Sequence, residues 1–129
     1  GHSHWGIWCM NGVIDVNGRA LLSVEVRSDS QAAPTLIEVW VDTGFTGDLV
    51  LPRLQIERLR LKQSLMVNAV LADGRKSRMM TYAAWIDWFG EPREIEVIAG
   101  EDQTVLLGVG LMLGHCLTVD YRTLQVDLD

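Results

Sequence analysis

The most informative stretch of the chain, residues 35–52, reads TLIEVWVDTGFTGDLVLP. Its first part, Thr35–Val41, is β-branched and apolar, which predicts a buried strand that ends at Asp42. An aspartate at a strand end can turn its carboxylate towards a cleft. Thr43 can hydrogen-bond locally, and Gly44 permits a tight turn and the close approach of a substrate backbone. The same three residues are also typical of an ordinary strand-terminating turn, so their surroundings must decide between the two interpretations.

The rest of the chain alternates short apolar segments with turn residues, a pattern typical of β-strands. Asn17-Gly18 and Asp73-Gly74 are two-residue hairpin signals, and Gly90 opens a third turn. A short amphipathic helix is predicted from Pro52, with its apolar positions at Leu54, Leu59 and Leu61. Besides Thr35–Val41, strands are predicted at residues 13–16, 20–26, 65–71, 79–88, 94–99, 105–108, 116–121 and 123–128.

The composition fits one globular domain. The chain has 129 residues, of which 48% are hydrophobic and 22% charged. A chain of this length can bury a core without disulfides, and the low charge fraction excludes disorder. We therefore expect a single domain over residues 10–129, preceded by an extension or tag remnant at residues 1–9.

Charge and cysteine content exclude several functions. The formal charge of −6 argues against a nucleic-acid partner, because binding to phosphates depends on lysine and arginine. No apolar run reaches the roughly 20 residues that a membrane span needs, and no signal peptide is present, so a cytoplasmic location is expected. Cys9 and Cys116 lack zinc-type spacing. A terminal cluster of His2, His4 and Cys9 is a weaker alternative, and we predict neither a metal nor a cofactor.

Three elements, in this order, resemble the retropepsin-like aspartic proteases, in particular small single-domain bacterial and archaeal members with an Asp-Thr-Gly-Phe signature. The first is the strand IEVWV followed by DTGFTGDLVLP. The second is a hairpin centred on ADGR at residues 72–75, in the position of the family's flap. The third is VLLGVGLML at residues 105–113, similar to the family's second apolar-apolar-Gly element and its following helix. The resemblance implies a mostly β, closed barrel-like fold with a flap hairpin and one or two short helices.

The resemblance also implies roles for individual residues. Asp42 corresponds to the catalytic carboxylate, and Thr43 to the residue that links two active-site loops across a dimer. Gly44 corresponds to the glycine that lets the substrate backbone pass close to the loop. The flap tip corresponds to Ala72, Asp73 and Gly74, and the support beneath the active-site loop to Leu107 and Gly108.

Phe45 departs from the small residue that usually follows Asp-Thr-Gly in retroviral and pepsin-type enzymes. A small hydroxyl there can hydrogen-bond the catalytic carboxylate, and phenylalanine cannot. We assign Phe45 to the substrate pocket; the alternative is that its bulk crowds the cleft. Asp48 is predicted as a turn residue, and an intrachain pair of Asp42 and Asp48 is the less favoured alternative.

Hydrolysis of an amide by carboxylates needs two of them, and the chain carries one Asp-Thr-Gly. Two close carboxylates share one proton, so one can act as general base while the other acts as general acid. The resemblance therefore implies a homodimeric aspartic endopeptidase, with one Asp42 from each chain, that cleaves peptides or unfolded proteins. The alternatives are a catalytically impaired protease-like dimer that binds peptides or assembles, and a β-rich domain with a coincidental motif.

Overall fold

The computed structural model describes residues 9–70, 74 and 76–129, with the backbone alone for residues 65–70 and 76–79. Ten strands and two short helices lie within these residues. The strands are β1 (Met10–Ile14), β2 (Ala20–Arg27), β3 (Thr35–Val41), β4 (Leu49–Pro52), β5 (Lys62–Val70), β6 (Lys76–Trp88), β7 (Glu91–Gly100), β8 (Leu106–Leu107), β9 (Leu117–Asp120) and β10 (Gln125–Leu128). The helices are α1 (Arg53–Leu59) and α2 (Val109–Met112). The expected extension, apart from Cys9, lies outside the described residues.

The strands form one sheet that closes partly on itself. Their order is β5-β6-β7-β4-β8-β3-β2-β1-β10-β9, and β6 also pairs with β2. In that extra pairing Val26 lies opposite Ile86, and Arg27 lies opposite Trp85. The strands from β6 through β7, β4, β8 and β3 to β2 therefore follow one another around a partly closed ring. The prediction of a mostly β fold with one or two short helices is confirmed, and of the expected closed barrel the structure has this partly closed ring.

The core lies inside this ring because its strands alternate between inward and outward side chains. β2 buries every second residue from Ala20 to Val26, and β3 buries Ile37, Val39 and Val41. The largest fully buried side chains are Leu22, Val24, Val26, Val39, Leu49, Leu51, Ile86, Val97, Leu107, Leu111, Val126 and Leu128. The outward side of β3 carries Trp40, which is 36% exposed.

The β1–β2 turn begins earlier than the sequence predicts. The Asp15 carboxylate accepts hydrogen bonds from the backbone N–H groups of Asn17 and Arg19, both at 2.9 Å. This local turn ends β1 at Ile14 and leaves Val16 fully exposed. A side-chain hydrogen bond thus overrides the apolar pattern that extended the strand to residue 16.

The predicted helix begins within one residue of its expected start, but it buries a different side chain. In α1 Ile56 is buried, whereas Leu54 is half exposed, so the prediction for Leu54 is wrong. Leu61 is buried just beyond the helix, after Arg60 has adopted a left-handed conformation (φ 57°) that ends it. Among the described residues, neither helix has the length and apolar character needed to cross a bilayer.

An ion pair fastens the two strands that close the ring. The Arg27 guanidinium on β2 donates to both carboxylate oxygens of Asp87 on β6, at 3.1 and 2.9 Å. It also donates to the Ala32 carbonyl at 2.8 Å. The hydrogen bonds from Arg27 lower the pKa of Asp87 below its ordinary value. Such two-pronged arginine–carboxylate pairs hold a fixed geometry.

We predict that Asp87→Asn lowers the free energy of unfolding by about 1 kcal/mol at neutral pH. Because the folded state lowers the pKa of Asp87, its contribution is complete above the carboxylate's unfolded pKa and is lost as the pH falls through the folded pKa. Urea unfolding at a series of pH values measures this. The gap between wild type and variant should close in acid. A gap that stays constant with pH, or an equal one for the exposed control Glu91→Gln, would contradict the role of the pair.

Candidate active site

Asp42 lies at the start of the connection between β3 and β4, which crosses the end of β8. β3 runs parallel to β8, and β4 runs antiparallel to β8 on its other side. The Asp42 N–H donates to the Leu107 carbonyl at 2.9 Å, so Asp42 is the last rung of the β3–β8 ladder. Residues 42–48, which we call the Asp42 loop, then pass over the end of β8 to reach β4. The topology thus places Asp42 at the end of a central strand, at the rim of the ring of strands.

The loop is fastened to the start of α2 by three backbone hydrogen bonds. The N–H groups of Gly108, Val109 and Gly110 donate to the carbonyls of Asp48, Phe45 and Gly47 at 2.9, 2.7 and 3.0 Å. The first N–H groups of a helix have no partner within the helix, and no side chain caps α2. The loop carbonyls therefore provide the cap that the helix lacks.

This close approach requires glycine at two positions of the helix start. A Cβ at Gly108 would collide with the Gly47 carbonyl oxygen and lie 2.8 Å from the Phe45 carbonyl oxygen. A Cβ at Gly110 would collide with the Asp48 side chain and lie 2.9 Å from the Gly47 oxygen. Leu107 is fully buried beneath the loop. The expected contact of Leu107 and Gly108 with the loop is therefore present.

Asp42 is half-buried, and its carboxylate is held at one oxygen. Its Oδ1 accepts the Gly44 N–H at 2.9 Å, and the Phe45 N–H donates to the Asp42 carbonyl at 3.2 Å. Thr43 and Gly44 are exposed. The strand-terminating turn considered above is therefore present, and it fixes the carboxylate beside an open surface. The turn and a role in catalysis are compatible.

Phe45 is half-buried, and its ring lies against the backbone of the loop itself. A Cβ built at Gly47 would lie 2.5 Å from Cζ of the ring, and one at Gly108 would lie 2.5 Å from Cδ2. The ring therefore occupies the space that these two glycines leave open. Its assignment to a substrate pocket stays a prediction.

Asp48 accepts tertiary hydrogen bonds with both its side chain and its backbone, beyond its predicted place in a turn. Its Oδ2 accepts the Glu96 N–H of β7 at 3.1 Å, and its carbonyl accepts the Gly108 N–H at 2.9 Å. Its carboxylate thus ties the loop to β7. No local sequence pattern indicates this contact, because it joins residues 48 positions apart.

The predicted flap corresponds to the hairpin of β5 and β6, which pair from Lys62 opposite Ala83 to Val70 opposite Lys76. Gly74 lies exposed between the two strands, with a φ of 85° that glycine adopts without strain. Ala72 and Asp73, the other residues expected at the tip, lie outside the described residues. The hairpin is present, and its function as a flap stays a prediction.

A shallow groove that the sequence did not reveal lies along the outward side of β3. Trp40 is two residues before Asp42 on the outward side of β3, and the Arg19 guanidinium lies 4.7 Å from the centre of its ring. The groove is lined by Arg19, Leu21, Glu38, Trp40, Gln103, Thr104 and Val105. Alternate residues of a strand share a face, so Glu38 and Trp40 both line the groove from the outward side of β3, and Trp40 is the one nearer to Asp42 along the chain.

Solved structures show the same fold. A retropepsin-like aspartic protease from Rickettsia conorii matches with a TM-score of 0.57 and 19% identity, covering 93% of this chain and 89% of that chain. EIAV protease complexed with the inhibitor HBY-793 matches with a TM-score of 0.51 and 20% identity, covering 76% of this chain and 88% of that chain. No protein-family model and no curated protein matches the sequence.

The chain therefore has the fold of the retropepsin-like aspartic proteases. The predicted resemblance is confirmed at the level of the fold, over most of the length of both chains compared.

We predict that Asp48→Ala loosens the loop and lowers the free energy of unfolding by about 1 kcal/mol, because the Glu96 N–H loses its acceptor. Asp48→Asn keeps an acceptor oxygen and should recover most of the loss. Chemical unfolding gives the stability, and amide hydrogen exchange at Glu96 reports the bond directly. Equal protection of the Glu96 N–H in wild type and Asp48→Ala would contradict the assignment.

Proposed function

We propose that the protein is an aspartic endopeptidase in which the Asp42 carboxylates of two chains form the catalytic pair. The observation that carries this proposal is the position of half-buried Asp42: the Gly44 N–H holds its carboxylate, on a loop that α2 supports, beside exposed residues. The fold shared with retropepsin-like aspartic proteases supports it.

The second carboxylate comes from a second chain. Within the Asp42 loop, the other acidic residue is Asp48, and its carboxylate accepts the Glu96 N–H on β7. A twofold axis beside Asp42 brings two identical loops together, and each then supplies one carboxylate. The exposed Thr43 lies next to Asp42, and its hydroxyl contacts the partner's loop across that axis.

The chemistry follows from the pairing of like charges. Two close carboxylates hold one proton between them, because both cannot readily be ionised. The ionised group takes a proton from water, which attacks the carbonyl carbon of the peptide, while the protonated group donates to the carbonyl oxygen. The C–N bond of the resulting gem-diol then breaks as the nitrogen accepts the proton that the first carboxylate took from water, while the second carboxylate takes back a proton from a hydroxyl of the diol. The products are a carboxylic acid and an amine, and both carboxyls return to their starting state.

The substrate is an extended peptide that passes over Gly44. The absence of a side chain at Gly44 leaves room for it, and the β5–β6 hairpin, with exposed Gly74 between its strands, closes over it. Beside the scissile bond, a large apolar side chain of the substrate packs on Trp40. Arg19 covers one part of that ring and holds it in place.

We predict that Asp42→Asn abolishes hydrolysis of an unfolded protein substrate, by about 10³-fold, because an amide cannot share or transfer the proton. The variant should remain a folded dimer by circular dichroism and sedimentation. For the wild type, activity per chain should rise with protein concentration as dimers form. Asp29→Asn, in the exposed loop between β2 and β3, is the matched control and should keep full activity.

Two results would contradict this proposal. Hydrolysis that survives Asp42→Asn would place the chemistry elsewhere. Peptide binding by a wild-type dimer without any hydrolysis would instead support the alternative, a protease-like dimer that binds peptides or assembles.

We predict that Trp40→Ala changes which peptides are cleaved. For peptides with an aromatic residue beside the scissile bond, kcat/KM should fall about tenfold, and for peptides with alanine there it should change little. The physical reason is the loss of one apolar contact surface. Leu36→Ala is the control, because Leu36 is 70% exposed on the same side of β3, nearer the start of the strand. An equal loss with every peptide would contradict a role in selection.

A further inference from the structure

We infer that Phe45 is a positioning residue: its ring fills a socket left open by Gly47 and Gly108 and thereby fixes the Asp42 loop. This differs from the substrate-pocket role expected from the sequence. The inference rests on the proposed function only where it concerns turnover, since the socket is a feature of the loop itself.

Gly47 forms one side of the socket. A Cβ at this position would lie 2.5 Å from Cζ and 2.8 Å from Cε1 of the Phe45 ring, both far inside van der Waals contact. The backbone of Gly47 is not in the left-handed region, unlike that of Gly18, Gly74, Gly90 and Gly114. Its conformation therefore does not require glycine, and what a methyl group at this position would meet is the Phe45 ring.

Gly108 forms the other side. A Cβ there would lie 2.5 Å from Cδ2 of the ring and 2.8 Å from the Phe45 carbonyl oxygen. Its φ of −102° is open to any residue, so here too close contact explains the glycine, both with the Gly47 carbonyl oxygen and with the Phe45 ring. One face of the socket belongs to the Asp42 loop, and the other belongs to the start of α2. The ring therefore joins two segments that are far apart in sequence.

The backbone of Phe45 links the position of its ring to that of Asp42. Its N–H donates to the Asp42 carbonyl at 3.2 Å, and its carbonyl accepts the Val109 N–H at 2.7 Å. A residue whose ring, N–H and carbonyl are all engaged has little freedom to move. Because a loop containing Gly44 and Gly47 is otherwise permissive, removal of the ring leaves the loop more conformations. Misplacement of a catalytic group by about 1 Å can cost about 10²-fold in rate.

A double-mutant cycle tests the socket through stability alone. Gly47→Ala should lower the melting temperature by about 5 °C in the wild type, because the new methyl overpacks against the ring. In a Phe45→Ala background, the same substitution should have no unfavourable effect. Gly100→Ala is the matched control, since its Cβ would contact Val50 and not Phe45, and its effect should be the same in both backgrounds.

A loss from Gly47→Ala that is equal in both backgrounds would overturn the socket, because the ring would then not be what the methyl meets. This readout needs no catalytic activity. Its result therefore stands whether or not the protein proves to be a peptidase.

Kinetics of Phe45→Leu then separate positioning from contact with substrate. If Phe45 positions Asp42, kcat should fall about tenfold by the same factor for every peptide, with KM little changed. A change in KM that depends on the peptide side chains, with kcat retained, would overturn the positioning role and restore the substrate-pocket role. Absence of hydrolysis by the wild type would overturn the proposed function and the positioning role for turnover, while the stability cycle would still decide the socket.

Discussion

Three hydrogen bonds between the start of α2 and the Asp42 loop are the constraint on which the site depends. They give the uncapped N–H groups of a short helix their acceptors, and they give an irregular loop with two glycines a fixed course. Neither the helix start nor the loop satisfies these N–H and carbonyl groups from within itself. Because Gly108 and Gly110 carry no side chains, the two backbones come close enough to satisfy each other. Asp42 lies at the end of this arrangement, where its N–H donates to the carbonyl of buried Leu107.

The site combines a rigid base with an open rim. Beneath the loop lie the β3–β8 ladder and α2, and Asp48 ties the loop sideways to β7. Above it, Thr43 and Gly44 are exposed, and the Trp40 groove lies along the outward side of β3. Such an arrangement suits chemistry that needs a carboxylate fixed on its own chain yet accessible to a second chain and to an extended peptide. This division between support and access connects the fold with the proposed dimeric peptidase.

Local patterns in the sequence predicted most strands, because alternation and turn residues act over a few positions. They placed β3 and its end at Asp42 correctly. They failed where a side chain or a distant segment decided the outcome: Asp15 shortened β1, and Ile56 replaced Leu54 on the buried side of α1. The contacts of Asp48 with β7 and of Phe45 with Gly108 depend on tertiary structure, so no local pattern could show them. The pairing of two Asp42 residues concerns a second chain and stays a proposal.

The most direct test of a shared catalytic pair is to mix wild-type protein with Asp42→Asn at constant total concentration and to measure hydrolysis after the subunits have exchanged. If each active site needs Asp42 from both chains, mixed dimers are inactive, and activity falls with the square of the wild-type fraction. Activity that falls in simple proportion to that fraction would show that one chain suffices, and would contradict the account.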